Sequence, residues 1–262
     1  MLSYSIVRLV KGCYMDANKD AFGQEMLKKY NGEPSFEIME RDDGYVNDSK
    51  GNDLYLADYK DWQKHEKEAI KYAKGRCLDI GCGAGRVELY LQKKGQYALG
   101  IDTSSMAIKV CKLRGVKNAR IMGIEDIGKL KDNSFDSIVM FVNNFGLFGS
   151  KEKARYLLKQ MHRITSDKGV IIADTRDPYL TDNPVHFKYH AMNIKKGRMP
   201  GQLRMRARFM QYCTDWFDYL LVSKSEMKDI LKGTGWKVER FINAEGYEKN
   251  GMYIAIIRKI FK

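Results

Sequence analysis

The middle of the chain alternates short apolar runs with amphipathic stretches. Residues 76–80, 97–102 and 119–122 are short runs of strand character. The run "FDSIVMF", residues 135–141, is continuously apolar, as a parallel strand covered on both faces requires. "GVIIA", residues 169–173, is a fifth such run. Between these runs the period lengthens. Residues 85–94 are helical and stop at Gly95, and residues 105–113 are helical with Gly115 just beyond. Residues 151–164 place Ala154, Leu157, Leu158, Met161 and Ile164 on one helical face. This alternation predicts an α/β fold built on a doubly wound, mostly parallel sheet.

The pattern changes on either side. "SKSEMKDILKGTG" opens with a capping box, Ser223 at the N-cap and Glu226 three residues later, and its helix should stop near Gly233. Residues 236–241 and 252–259 then form two strands, which is not the usual ending of a dinucleotide-binding domain. Residues 1–75 contain "ERDDGYV", 40–46, and a helix leading into the first strand. Between the fifth strand and the capping-box helix, residues 176–222 are far too many for a simple crossover. In this insertion "LRMRARF", 203–209, alternates strictly. As a strand it sets Arg204, Arg206 and Arg208 on one face and Leu203, Met205, Ala207 and Phe209 on the other. "DWFDYLLV", 215–222, is predicted to pair with it. The expected organisation is an N-terminal cap and helical lead-in (1–75), a core (76–175 with 223–262) and a substrate-side lid insertion after strand five (176–222).

Composition narrows the class. With 30% charged and 44% apolar residues, and no long apolar run, the chain is expected to be soluble, with no membrane partner. The start, "MLSYSIVRLVKG", lacks a charged leader and a cleavage site and is expected to belong to the mature protein. The five cysteines are scattered and none has metal-ligand spacing, so reduced thiols, a cytoplasmic location and no metal are expected. A net charge of +13 permits an acidic partner such as nucleic acid, or it is a Lys-rich solvated surface.

The chemistry is concentrated in "CLDIGCGAGRVELYLQKKGQYALGID", residues 77–102. Gly81, Gly83 and Gly85 follow the first strand with Gly-x-Gly-x-Gly spacing, not the Gly-x-Gly-x-x-Gly of a dinucleotide site, and position 86 is Arg. Asp79 lies two residues before the first glycine, and Asp102 ends the next strand. Small residues let a ligand approach the backbone, and a helix start offers free N–H groups to a carboxylate. An acid at the second strand's end can accept both hydroxyls of a ribose, with charge assistance. The set suits a nucleoside without a pyrophosphate.

This stretch closely resembles motif I of the class I S-adenosylmethionine (SAM)-dependent methyltransferases, and the likeness extends over residues 76–175 and more loosely through 223–262. The resemblance implies a Rossmann-like, seven-stranded sheet with an antiparallel last strand, which would account for the terminal strand pair. It implies SAM as cofactor and S-adenosyl-L-homocysteine as product. Carried over, Asp79, Gly81, Cys82, Gly83 and Gly85 line the methionyl part, Asp102 holds the ribose, and Thr103 contributes its backbone. Relatives have Gly-Asp after strand three, where this chain has Gly123-Ile124. Ile124 is then expected on the adenine face, with Glu125 or Asp126 reaching its edge. "VNNFGLFG", 142–149, lacks the prolines of amine-methylating nucleic-acid enzymes and is more similar to the Asn-containing segment of glycine N-methyltransferase-type enzymes. Asn143 is expected to contact SAM and Asn144 a substrate.

The resulting expectation is methyl transfer from SAM to an N, O or S acceptor on a small molecule, acidic if the Arg204, Arg206 and Arg208 face binds it. Tyr45 and Trp216 are further substrate-side candidates, and Tyr55, Tyr59 and Trp62 are candidates for a cover over SAM. His186, His190 and Asp177 are the candidate bases. Two alternatives remain: an RNA or protein methyltransferase docking through the basic insertion, and a non-catalytic SAM-binding module. The acceptor and the oligomeric state stay open.

Overall fold

The structure is a computed structural model that describes residues 16–49, 53–246 and 251–260. Cys13 and the apolar N-terminal stretch discussed above lie outside the described residues. The chain begins with α1 (Ala21–Tyr30), β1 (Glu37–Arg41), β2 (Val46–Ser49) and α2 (Lys64–Ala69). An alternating block follows: β3 (Cys77–Ile80), α3 (Arg86–Lys93), β4 (Ala98–Asp102), α4 (Ser105–Leu113), β5 (Ala119–Ile121), β6 (Phe135–Met140), α5 (Lys151–Ile164) and β7 (Thr165–Arg176). Beyond it lie α6 (Pro184–Lys195), β8 (Gln202–Phe209), β9 (Tyr212–Cys213), β10 (Phe217–Leu220), α7 (Lys224–Leu231), β11 (Trp236–Asn243) and β12 (Met252–Lys259).

The larger sheet has seven strands in the order β11-β12-β7-β6-β3-β4-β5. Strands β3 to β7 are parallel, and β12 runs antiparallel to both β7 and β11. This is the doubly wound seven-stranded sheet expected above. The "FDSIVMF" run is buried on both faces: Ile138, Val139 and Met140 are fully enclosed, as are Ile172 and Ala173 of the neighbouring β7. The five apolar residues of α5 all lie in the same core cluster, so its stripe is the face that packs on the sheet. Helix α7 starts on the capping box: Ser223 accepts from the Glu226 N–H and the Glu226 carboxylate accepts from the Ser223 N–H. Helix α3 begins at Arg86, one residue later than expected, because Gly85 has φ +78° and cannot belong to the helix. No helix among the described residues is long and apolar enough to cross a membrane.

A second sheet, in the order β10-β8-β1-β2 with β9 on the edge of β8, was not foreseen. It joins the N-terminal hairpin to the insertion, stretches treated separately above. The expected partnership of "LRMRARF" with "DWFDYLLV" is present as the antiparallel pair β8–β10. The register sorts the two faces. Ile38 and Glu40 stand beside Arg208 and Arg206, and Asp218 beside Arg204. Met39 and Arg41 stand beside Ala207 and Met205, with Phe217 next to Met205 and Tyr219 next to Leu203. The second of these faces is the inner one: Ala207 and Phe209 pack against Ala21 of α1.

Candidate functional site

A cavity of about 1100 Å³ lies between the carboxyl ends of β3, β4, β6 and β7 and the inner face of the second sheet. Carboxyl ends of parallel strands are where open α/β sheets hold ligands. Most of the residues singled out in the sequence meet here: Asp79, Gly81, Cys82, Gly83, Asp102, Thr103, Ile124, Glu125, Asn143 and Asn144 on one side, and Tyr45, Asp177, His186, His190 and Trp216 on the other.

The glycine turn is built from the backbone outward. Gly83 has φ +52°, a left-handed conformation that side-chain-bearing residues rarely adopt. The Asp102 carboxylate at the end of β4 accepts from the Gly83 N–H at 3.0 Å and the Ser104 N–H at 2.9 Å. One acid thus ties the glycine turn to the start of α4 and still offers lone pairs to the cavity. Burial lifts the Asp102 carboxyl above its ordinary value, against the pull of those N–H groups. Asp79 is more deeply set. Burial pushes its carboxyl up to about 7. Glu88 of α3 is equally enclosed and, with Asp79 beside it, is pushed well up too. Asp20, at the N-cap of α1, accepts from the Ser104 hydroxyl at 2.8 Å and the Met106 N–H at 3.2 Å, pinning α1 beside the turn.

On the next loop Asn144 donates its amide to the carbonyls of Ile80 and Gly81, both at 2.9 Å. Its NH₂ group therefore holds the glycine turn and is not free for a substrate. Asn143 has a left-handed backbone, φ 60°, and its carbonyl accepts from the Tyr219 hydroxyl at 2.6 Å. Its side-chain Oδ1 is buried with no partner.

Across the cavity, His186 of α6 shares a 3.0 Å hydrogen bond between Nδ1 and the Thr181 hydroxyl, and its ring meets Tyr45 edge-on at 5.1 Å. Burial, then the charges of Arg41 and Arg176, hold the His186 imidazole below its ordinary value. Burial, His186 and Arg41 do the same to His190. Both rings are therefore neutral at pH 7. Asp177 turns one carboxylate oxygen to the Tyr179 N–H at 3.0 Å.

Several candidates do not reach the cavity wall. Arg204, Arg206 and Arg208 lie on the face of the second sheet opposite Met39, Leu203 and Met205, where their neighbours Glu40, Trp216 and Asp218 reach the cavity and they do not. There Arg206 and Arg208 both bind Glu40, at 2.9 and 2.7 Å, Arg204 pairs with Asp218 at 3.4 Å, and Trp216 carries Arg206 on its ring at 4.5 Å. Their partners come from β1 and β10, so the alternation that aligned the three arginines is balanced by acids distant in sequence. Gly85 is absent from the wall because it faces the interior, where a Cβ would come within 2.5 Å of Val116. Asp126 pairs with Lys129 instead. Of the aromatic cover candidates, Tyr55 lines the cavity, whereas Tyr59 stacks on Tyr90 and Trp62 packs at a tilt against the same ring, on the core.

Some site residues carried no sequence signal. Arg86 fills the position where a dinucleotide fingerprint has its third glycine. It forms a buried pair with Glu66 of α2 and lies over Trp62 at 4.7 Å. Arg41 makes a two-pronged pair with Asp43 at 2.8 Å and lies over Tyr189 at 4.0 Å. Arg176 and Tyr219 also line the wall. Arg41 and Tyr219 reach this place through the pairing of β1, β8 and β10, and meet there Arg86 of α3 and Arg176 of β7.

The wall fits SAM. Its buried Asn143 oxygen lacks a partner, its glycine turn has backbone open to a ligand, Asp102 faces it with a carboxylate, and Met122 and Ile124 supply an apolar flank.

Likeness to known proteins bears on the fold that carries this site. A methyltransferase-domain family matches residues 78–173. A putative methyltransferase, YqeM, of Bacillus subtilis is 24% identical over 126 residues, covering 47% of this chain and 51% of that protein. The ubiquinone biosynthesis O-methyltransferase of Xanthomonas oryzae is 30% identical over 74 residues, 26% of this chain and 31% of the relative. The chain thus spans about half or less of the length of these curated relatives. A SAM-dependent methyltransferase from Bacteroides fragilis, solved in complex with S-adenosyl-L-homocysteine, is 25% identical and superposes with a TM-score of 0.78 over 95% of this chain and 98% of that one. The chain thus has the fold of the class I SAM-dependent methyltransferases, and its residues 78–173 carry a methyltransferase domain.

Proposed function

We propose that the chain transfers a methyl group from SAM to a nitrogen, oxygen or sulfur of a small molecule held under the second sheet. One observation carries this reading: a single cavity of about 1100 Å³ runs from the glycine turn to the inner face of β1, β8 and β10. Ligand sites commonly occupy 300–1000 Å³, so there is room for a cofactor and a small acceptor together. The Arg204, Arg206 and Arg208 face, expected from the sequence to bind an acidic acceptor or else to dock RNA, is engaged with Glu40 and Asp218.

Bound SAM supplies a sulfonium methyl already activated towards nucleophiles. The chain's residues then have positioning and proton-handling roles. Asp102 holds the ribose hydroxyls, the turn at Gly81–Gly83 with Asp79 receives the methionyl end, and Ile124 packs on the adenine. Asn143, a wall residue whose Oδ1 is buried without a partner, supplies an acceptor beside the ligand. The second sheet covers the acceptor with Met39, Leu203, Met205 and Phe217 and excludes water, which aligns the reacting atoms without a large reorganisation. His186 accepts the acceptor's proton where one must leave. Its neutral form at pH 7 and its place in the wall suit that task, with His190 and Asp177 as the neighbouring candidates.

Tritium-labelled SAM incubated with the protein and fractionated cell extract tests the reading. Label should follow the small-molecule fraction. Label in RNA or protein would move the acceptor class. Tight NADH binding with no binding of SAM or S-adenosyl-L-homocysteine would remove the assignment.

A further inference from the structure

Five cationic side chains line the cavity: Lys19, Arg41, Arg86, Lys153 and Arg176. Four have an acid. Lys19 pairs with Asp215, Arg41 with Asp43, Arg86 with Glu66 and Lys153 with Glu125. Arg176 has no carboxylate partner among the described residues, and its Nε is shut away from water with no acceptor. A guanidinium is never neutral in a protein, and this one is half-buried, with its Nε desolvated and without an acceptor, which a partner would offset. It is the residue type that binds a carboxylate or phosphate through two parallel hydrogen bonds.

Its place makes the missing partner a ligand group. Arg176 is the last residue of β7, at the carboxyl end of a parallel strand, where its backbone pairs with Met252 of β12. Its charge acts on both His186 and Tyr219, which share the cavity wall with it. The nearby Arg41 is committed, held by Asp43 and flanked by Tyr45 and Tyr189 at 4.8 and 4.0 Å. The surrounding wall is apolar, with Met39, Leu203, Met205 and Phe217 on the second sheet.

We propose that Arg176 anchors the anionic group, a carboxylate or a phosphate monoester, of a small acceptor with an apolar body. The proposal rests on the methyltransferase reading only in calling that bound acid the acceptor. It also reassigns the acid-binding role from Arg204, Arg206 and Arg208 to a residue inside the cavity.

The test is calorimetric titration of benzoate, phenyl phosphate and, as the uncharged control, benzamide. Each is titrated into the full chain, with and without saturating S-adenosyl-L-homocysteine. The two acids distinguish a carboxylate from a phosphate acceptor. At least one acid should bind one-to-one and more tightly than benzamide. Arg176→Gln should weaken it about tenfold or more and leave S-adenosyl-L-homocysteine affinity within twofold. Arg176→Lys should recover part of the loss, because it keeps the charge without the two-pronged geometry. Should the Gln variant unfold, the Lys variant decides: it must show a smaller preference for acid over benzamide than the wild type. Equal acid binding by wild type and variants, or no acid binding by wild type, overturns the proposal. S-adenosyl-L-homocysteine binding without Arg176-dependent acid binding leaves the methyltransferase reading and removes the anchor. Arg176-dependent acid binding without S-adenosyl-L-homocysteine binding does the reverse.

Discussion

Replacing Asp102 separates a structural contact from a ligand contact made by the same carboxylate. In the free protein Asp102 accepts from the N–H groups of Gly83 and Ser104, at 3.0 and 2.9 Å. Asp102→Ala strands both donors. They border an open cavity where water can replace the lost acceptor, so each loss falls near the low end of the range for a broken hydrogen bond, about 1 kcal/mol. A term of opposite sign reduces this. Burial raises the Asp102 carboxyl above its ordinary value, so its ionised form is held at some cost that the alanine removes. The net loss of stability should be small, on the order of 1 kcal/mol. Ligand binding has no such compensation. If the carboxylate accepts the ribose hydroxyls, its removal forfeits charge-assisted bonds worth about 1.5–3 kcal/mol, or roughly ten- to a hundredfold in affinity. Asp102→Asn retains one acceptor oxygen without the charge and should fall between the two. The assay is calorimetry with S-adenosyl-L-homocysteine, paired with urea unfolding of each variant. The predicted order of affinity is wild type, Asn, Ala, with nearly superimposable unfolding curves. An alanine variant that binds S-adenosyl-L-homocysteine within twofold of wild type would refute the ribose role, and an affinity loss that only tracks unfolding would reduce Asp102 to a brace for the turn.

Asp174, in β7, is fully enclosed, and burial raises its carboxyl from 3.8 to about 7. A folded-state value above the unfolded one means that stability is complete below about pH 4 and declines as pH rises towards 7; Asp174→Asn, which can still accept from the Val142 N–H, should therefore gain stability over wild type between pH 5 and 8, by at most ~4 kcal/mol, and urea melts with a pH-independent difference would contradict this. Glu66→Ala should destabilise the chain by about 3–5 kcal/mol, because it leaves Arg86 charged and alone in a site where both side chains are 4% exposed; a loss under ~1 kcal/mol in denaturant titration would show that water reaches the guanidinium. Replacing Arg204, Arg206 and Arg208 together by Gln should leave S-adenosyl-L-homocysteine affinity and methyl transfer to the native acceptor unchanged, since none of the three is on the cavity wall and each is paired with Glu40 or Asp218; a changed acceptor preference in the labelled-SAM assay would return them to the substrate site.

The division between what was legible in the sequence and what was not follows the range of the interactions. The parallel core was readable because each of its elements declares itself locally: a doubly buried strand needs the unbroken "FDSIVMF" run, α5 needs its five-residue stripe, and α7 carries both halves of its capping box within four residues. The glycine turn was readable for the same reason, since Asp79, Gly81 and Gly83 lie within one short stretch and meet Asp102 through adjacent parallel strands. The second sheet is built otherwise. It pairs Glu40 with Arg206 across more than half the chain, and period-two alternation defines two faces without saying which one is covered. Charge suggested that the arginine face of β8 was the working one. The structure decides against it, because β1 and β10 supply Glu40 and Asp218 on that same face, while Leu203, Met205 and Phe217 turn inward. An arginine becomes available to a ligand when no acid of the chain reaches it, and that depends on every strand around it. By that criterion the informative cation of this site is Arg176, which ends the ordinary strand "GVIIADTR".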